Sequence, residues 1–291
     1  MRKLSVLTTL TAALTLAGCN IGFDGFNNEK FQQDFRFNYP LKSGATFTLE
    51  NGNGSVDIAG WDREEVEITG VKYARTEALR DEVKIDIQHS DNAVSIRTVM
   101  PSNDHNGAGA RYIIRVPRRV TLDRVTSSNG KLHASDIDGP VRLRTSNGAI
   151  EITKVNGDAS GQTSNGSVEV NGVQGSAHLH TTNGHVTAEG VTGAIDASSS
   201  NGSLTLTLSD TLKSDVVAKT SNASITLRVP SHAAARVRAS TSNGNISSDF
   251  DEVRRDRDDR HHMEGTVNRG ASSSPLLDLS TSNGSIHLEK L

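Results

Sequence analysis

Apolar and polar positions recur along this chain with a long, regular period. An Asn, usually preceded by Ser or Thr and followed by Gly, returns every 18 residues from Asn129 to Asn201, every 21 residues from there to Asn243, and after 40 more at Asn283. Counted from each Asn, apolar residues fall at positions +3, +5, +8, +12 and +14. The recurring residues are Asn129, Asn147, Asn165, Asn183, Asn201, Asn222, Asn243 and Asn283. Such self-similarity predicts a repeat architecture.

The spacing within each period predicts short strands joined by corners. Apolar positions alternate by two, as in a strand with one buried face, but this alternation breaks before +3 and again between +5 and +8. Asn-Gly suits the first corner because both residues tolerate left-handed backbone angles. From +8 to the next Asn the even positions are expected to point inward, so the predicted core contains aliphatic residues together with rows of Thr and Asn.

Identical corners at a constant interval favour a coil over a series of hairpins. Hairpin strands alternate in direction and do not need one corner motif per period, whereas in a coil each residue stacks on its equivalent about 4.8 Å away. The recurring Asn side chains are then expected to hydrogen-bond to one another along a structural ladder. Disorder is a poor alternative because random polar sequence would not keep its apolar positions in phase. The predicted fold is all-β: a right-handed parallel β-solenoid, or single-stranded β-helix, with 18–21 residues per turn and irregular N-terminal turns.

The N-terminal half carries a degenerate version of the same pattern. Asn53 begins a matching corner and strand, Trp61 occupies position +8, and Asp91 begins another corner 38 residues after Asn53, which is two turns of 19. We therefore expect irregular β turns over residues 35–126 that cap this end of the solenoid.

The regular solenoid is predicted over residues 127–291, with one insert. This insert, residues 249–275, falls in the 40-residue interval between Asn243 and Asn283. Because the chain stops at Leu291, position +8 of its turn, we expect the last strand to be an open edge that invites self-association. The insert is expected to fold over that edge as a cap.

An export signal precedes the repeats. A positively charged start leads into an apolar stretch over residues 4–16, too short to span a bilayer, and then into Leu-Ala-Gly and Cys19. This arrangement resembles the bacterial lipoprotein signal, which implies removal of residues 1–18, lipidation of Cys19 and a lipidated tether over residues 19–34. Since Asn20 is not the Asp that retains many lipoproteins in the inner membrane, the outer membrane of a bacterial envelope is the expected location.

The repeats resemble those of the DUF4097 family. The Thr-Ser-Asn-Gly corners, the segments Gly60–Asp62 and Arg115–Pro117, and the closing Thr281–Ile286 carry the resemblance, which covers roughly residues 40–291. It implies an exported or membrane-tethered protein of β-strand repeats, adhesin-like by architecture. The family has no catalytic residues to carry over.

Two groups of outward-facing side chains are candidates for chemistry. Glu151 and Glu169 occupy position +4 of adjacent turns, so their carboxylates are expected about 5 Å apart, as in retaining glycosidases. His178 and His180 leave one strand, and Asp196 lies one turn from His178, a set that contains possible metal ligands. Because Thr continues the first column and Ser and Gln surround the second group, a solvated face explains both better. We predict no catalytic residue, metal or cofactor.

The insert begins with a dense run of mixed charge, DFDEVRRDRDDRHH, at residues 249–262. Such runs are usually solvated loops, but long inserts on solenoids often lie on the binding face. The candidate contact residues are Arg254, Arg255, Arg257, Arg260, His261 and His262.

The remaining features indicate a non-enzymatic protein. A net charge of −3 provides no electrostatic footprint for nucleic acid, and Cys19, the only cysteine, allows no internal disulfide. The leading hypothesis is a membrane-anchored envelope lipoprotein, acting as a scaffold or adhesin-like interaction module for a protein or glycan. An envelope-stress sensing or regulatory component is the alternative, and a carbohydrate-active β-helix enzyme is a third hypothesis.

Overall fold

The computed structural model describes residues 31–101, 107–209, 213–250, 253, 261–268 and 274–291. Two 12-stranded sheets and one short helix, α1 (Glu77–Glu82), make up the described fold. Sheet A contains β1 (Phe31–Pro40), β3 (Val56–Trp61), β4 (Glu65–Ala74), β7 (Ala108–Pro117), β9 (Leu132–Ile137), β11 (Ile150–Val155), β13 (Val168–Val173), β15 (Val186–Val191), β17 (Leu204–Leu208), β19 (Ile225–Val229), β21 (Ile246–Ser248) and β24 (Ile286–Lys290). Sheet B contains β2 (Ala45–Asn53), β5 (Lys84–Ser90), β6 (Ala93–Val99), β8 (Val120–Asn129), β10 (Val141–Asn147), β12 (Ala159–Gln162), β14 (Ala177–Thr181), β16 (Ile195–Ser199), β18 (Val216–Lys219), β20 (Ala235–Thr241), β22 (His262–Val267) and β23 (Leu276–Thr281).

Each regular turn of the coil contributes one strand to each sheet. The strand after the Asn corner enters sheet A, and the following strand enters sheet B, as β13 and β14 do. Equivalent residues of successive turns pair in parallel, for example Ile150 with Val168 and Val168 with Val186. The predicted all-β solenoid of stacked parallel turns is therefore confirmed.

The core lies between the two sheets and follows the predicted apolar positions. In one turn Val168, Val170, Val173 and Leu179 are each at most 3% exposed. The Thr at position +16, such as Thr181, is buried as well. The recurring Asn residues, however, are exposed, so the prediction that they line the core is wrong. Position +17 is mostly exposed too, which shows that the strand alternation already breaks before the Asn.

Close stacking explains the Gly of the Asn-Gly corner. A Cβ atom on Gly166 would lie 2.0 Å from the carbonyl oxygen of Gly148, because the corners lie directly on one another. In the regular turns, left-handed angles, the reason expected from the sequence, occur instead at position +7, in the second corner. The residues there with φ between 54° and 71° are Asp136, Lys154, Gly172 and Gly190. Among the Asn-Gly corners, a positive φ is found at Gly54 (120°). Nothing in the structure explains why one stacked corner carries Ala223 where the others carry Gly.

The turns at the C-terminal end do not stack in chain order. Strand β24 lies between β19 and β21, and β23 lies between β18 and β20. The last turn of the chain is therefore inserted between its two predecessors, and the prediction that its strand forms an open edge is wrong. Both turns carry the same Asn-Gly motif, so either order satisfies the same stacking.

Part of the charged insert does cap this end of the solenoid, but over a different strand. Strand β22 lies within the insert and pairs antiparallel with β20, which covers the edge of sheet B. Sheet A ends with β21, which is only three residues long. Short and covered strands are common protections against edge-to-edge aggregation.

The N-terminal turns are also interchanged. Strands β2 and β3 lie directly against β8 and β9, whereas β6 and β7 lie farther out. The predicted corner at Asp91 is not equivalent to that at Asn53, since it joins β5 to β6 and lies beside the turn at Lys42, whose N–H donates to the Asp91 carbonyl (2.7 Å). Residues 31–34 of the predicted tether belong to β1, which pairs antiparallel with β4.

No helix among the described residues has both the length and the apolar character required to cross a membrane.

Candidate functional site: surface clusters and a groove on sheet B

The recurring asparagines form one hydrogen-bonded column, here called the asparagine ladder. In each case the side-chain Nδ2 donates to Oδ1 of the neighbouring Asn, at 2.7–2.9 Å. The order along the column is Asn53, Asn129, Asn147, Asn165, Asn183, Asn201, Asn222, Asn283 and Asn243. Because neighbouring turns bind the donor and acceptor of each amide, the ladder has a structural role.

A second row of hydrogen bonds lies just inside the asparagine ladder. The buried hydroxyls of Thr163 and Thr181 donate to the corner carbonyls of Gly148 and Gly166, at 3.0 and 2.9 Å. At the N-terminal end Asn51 occupies the equivalent position, and its Nδ2 donates to three backbone carbonyls. No described residue donates a hydrogen bond to its buried Oδ1 atom. The sequence pattern indicated inward Thr but not these acceptors.

The two glutamates considered as a catalytic pair do lie side by side. Glu151 pairs in register with Glu169 on sheet A. The Lys131 ammonium, 2.5 Å from Glu151 Oε2, holds the pKa of that carboxyl below its usual range. A general acid for glycoside cleavage requires a raised pKa, so Glu151 is unsuited to the role of general acid. Ser167 Oγ donates to Glu169 (3.3 Å).

An imidazole–carboxylate pair precedes these glutamates in the same column. His133 Nδ1 lies 3.3 Å from Asp57 Oδ1. Hydrogen bonding to His133 lowers the pKa of Asp57, and the same contact raises the pKa of His133. Sequence reasoning missed Asp57 because its turn joins this column only through the interchanged stacking of the N-terminal strands.

The histidines considered as metal ligands have separate partners. His178 Nδ1 lies 3.1 Å from Asp196 Oδ2, as the one-turn spacing indicated, but His180 Nδ1 lies 2.9 Å from Ser198 Oγ. Across the described ranges, no group of three His, Cys, Asp or Glu side chains is arranged to hold a metal ion.

His178 also lines an open groove of about 510 Å³, here called the sheet-B groove. It crosses the first residues of strands β10, β12, β14, β16 and β18, a span of about 19 Å at the usual strand spacing. Its lining residues are Pro140, Val141, Arg142, Asp158, Ala159, Ser160, Ser176, Ala177, His178, Ala194, Ile195, Asp196, Asp215, Val217 and Lys219. The groove lies on the outer face of sheet B, where each turn enters that sheet.

The charged groups of the groove are anchored by the protein itself. Asp158 and Asp215 each accept a hydrogen bond from a backbone N–H, at 2.9 and 2.8 Å. Arg142 forms an ion pair with Asp123 (2.7 Å) at one end, and Lys219 lies at the other. The accessible lining of the groove therefore combines a few apolar side chains, Pro140, Ala194 and Val217, with cations at both ends and carboxylates along its length.

The predicted contact residues lie near the C-terminal end, as far as they are described. His261 Nδ1 is 3.1 Å from the carbonyl oxygen of Gly244, and His262 belongs to the capping strand β22, 3.4 Å from Glu264. The residues Arg254, Arg255, Arg257, Arg260 and Cys19 lie outside the described residues.

The repeat, its corners and its two sheets point to one family. A family model described as Toastrack DUF4097 matches residues 45–289. This chain belongs to the DUF4097 family. Among functionally curated proteins, no match to this DUF4097 member was found.

Solved structures of similar proteins share little sequence with this DUF4097 member. A "putative adhesin" from Bacteroides fragilis is 14% identical, with 91% of this chain and 100% of that chain covered and a TM-score of 0.49. A "putative cell adhesion protein" from Clostridium sporogenes is 12% identical, with 89% and 100% covered and a TM-score of 0.28.

Proposed function

We propose that this chain is a non-enzymatic envelope lipoprotein, anchored through Cys19 in the outer membrane, whose solenoid is an adhesin-like binding module. The proposed ligand is a protein, bound by an extended segment in the sheet-B groove. The signal-like start of the sequence supports the anchor, and the adhesin names of similar proteins are compatible with a binding role.

The composition of the groove carries the proposal. Its accessible apolar lining residues are Pro140, Ala194 and Val217, and cationic and anionic groups lie around them. An extended peptide with small apolar side chains and flanking charges of both signs matches this surface. A glycan fits less well, because no aromatic side chain on which a sugar ring could stack lines the groove among the described residues.

A groove-filling variant tests this function. Ser160→Tyr places a ring in the groove on an outward strand position, and Thr187→Tyr places the same ring on the outer face of sheet A as a matched control. Partners retained by the immobilised chain are compared by quantitative mass spectrometry. We expect a protein that is retained by wild type and the control but lost with Ser160→Tyr. Equal retention of partners by all three proteins would contradict binding in the groove. If glycosidase treatment removed the retained material and protease treatment did not, the ligand would be a glycan.

The anchor and the absence of catalysis are tested separately. Cys19→Ser is expected to move the chain from the membrane fraction to the soluble fraction and to abolish labelling by a fatty acid. Wild type, Glu151→Gln and Glu169→Gln are expected to be equally inactive on envelope polysaccharides. Polysaccharide cleavage by wild type that both substitutions abolish would show that the protein is an enzyme.

A further inference from the structure

The N-terminal end of sheet A is a long, open strand edge. Strand β1 spans ten residues, and within the described part of the chain it pairs with β4 alone. Continued by one residue, the β1–β4 register pairs Leu41 with Glu64, and the Leu41 N–H donates a hydrogen bond to the Glu64 carbonyl oxygen (3.1 Å). Because hydrogen-bonded and non-hydrogen-bonded pairs alternate in antiparallel sheets, the odd-numbered residues of β1 bond to β4. The backbone groups of the even-numbered residues therefore point away from the sheet.

The core behind this edge is incompletely covered. Phe35, Phe37 and Tyr39 on β1, and Ile85 and Ile87 on the outermost strand of sheet B, pack against the core but remain partly exposed. At the opposite end of the solenoid, sheet A ends in the short strand β21 and β22 covers the edge of sheet B. That end therefore presents less strand edge for pairing than the N-terminal end. A long edge beside partly exposed apolar side chains favours pairing with another strand.

We propose that this end binds a second copy of the chain, with β1 pairing antiparallel to β1 of the other copy around a twofold axis at Phe35. This register places Asp34 of each copy opposite Arg36 of the other, and Gln32 opposite Asn38. All four residues have even numbers, so their outward-pointing backbone groups meet as hydrogen-bonded pairs. One contact surface thus serves both copies, as twofold dimers require.

Charge selects this register over its neighbours. An axis at residue 34 would place Asp34 opposite its own copy, and an axis at residue 36 would do the same with Arg36. Like charges directly opposite one another destabilise strand pairs, whereas opposite charges stabilise them. Arg36 also contacts Glu67 (2.5 Å) on its own chain, but it remains 60% exposed and available to a second carboxylate. The pairing does not depend on the sheet-B groove or its ligand.

A charge exchange tests the proposal in the full chain. Sedimentation is expected to show a concentration-dependent dimer for wild type. Asp34→Arg places two Arg–Arg contacts at the interface and should produce a monomer, whereas the double variant Asp34→Arg/Arg36→Asp restores opposite charges and should recover the dimer. Glu169→Arg, an exposed carboxylate far along sheet A, is the matched control and should dimerise like wild type. A monomeric wild type, or no recovery in the double variant, would overturn the proposal.

A cross-link tests the register independently. The two copies of residue 35 form a non-hydrogen-bonded pair with Cα atoms about 4.5 Å apart, within disulfide range. In the same register the two copies of residue 37 are about 13 Å apart. Phe35→Cys should therefore form a covalent dimer on mild oxidation, whereas Phe37→Cys, which also removes one ring, should not. Equal cross-linking of the two variants would contradict this arrangement.

Discussion

Replacing the corner glycine Gly166 by Ala tests why the asparagine ladder needs Gly. The new methyl carbon would lie 2.0 Å from the Gly148 carbonyl oxygen and 3.0 Å from the Ala149 nitrogen. Because the closest comfortable carbon–oxygen approach is about 3.3 Å, the two corners must separate by roughly 1 Å. Within an 18-residue turn, corners stacked about 4.8 Å apart that separate this far must stretch their hydrogen bonds. The corner at Ala223 keeps its own (Asn222 Nδ2 to Asn201 Oδ1, 2.9 Å), but it follows a longer turn of 21 residues.

Three of the hydrogen bonds that join these two corners are made by Gly148 itself or by the asparagine side chains, and their loss sets the smallest expected effect. They are Gly148 N–H to the Asn165 carbonyl (3.2 Å), Thr163 Oγ1 to the Gly148 carbonyl (3.0 Å), and Asn165 Nδ2 to Asn147 Oδ1 (2.8 Å). At about 0.5–1.5 kcal/mol each, their loss lowers the free energy of unfolding by about 1.5–4.5 kcal/mol.

Gly172→Ala is the matched control. Gly172 has φ of +71°, but a methyl group there would approach nothing closer than 3.8 Å. Its expected cost is the left-handed strain alone, about 1–2 kcal/mol. Both variants are compared with wild type by urea denaturation followed by circular dichroism. If Gly172→Ala proves the more damaging, backbone conformation and not close stacking governs the repeat, and the reasoning fails.

Three other outcomes are expected. Lys154→Gly relieves a left-handed angle (φ 54°) and should stabilise the fold by about 1 kcal/mol in the same urea assay. Asn51→Thr retains a donor for the Ala110 carbonyl and removes an amide oxygen without a described partner, so the unfolding midpoint should rise, whereas Asn51→Leu should lower it. His133→Gln should destabilise by at most about 1 kcal/mol, mainly between about pH 4 and 6.5. The stability that comes from the lowered pKa of Asp57 is lost as pH falls below this window, and the stability that comes from the raised pKa of His133 is lost as pH rises above it. A loss of stability that does not depend on pH, measured by urea titration, would contradict an ion pair between these two residues.

The candidate site was only partly predictable. The one-turn spacing of His178 and Asp196 indicated their contact, since each turn stacks directly on the next. The sheet-B groove was not predicted, because its lining residues come from five turns and share no residue type that would mark a site. Lys131 beside Glu151 was missed as well, because that contact joins a corner residue to the strand of the next turn.

The sequence by itself determined the coil, its inward apolar positions and the asparagine column. These features depend only on contacts between adjacent turns, and every turn repeats the residues that make them. Only the tertiary structure decided the order of the end turns, whether the asparagines face the core or the solvent, and that β1 extends into the predicted tether. The corners at Asn243 and Asn283 carry the same motif, so both stacking orders form the same local contacts. The capping strand β22, which belongs to no repeat and pairs with β20, distinguishes the two orders.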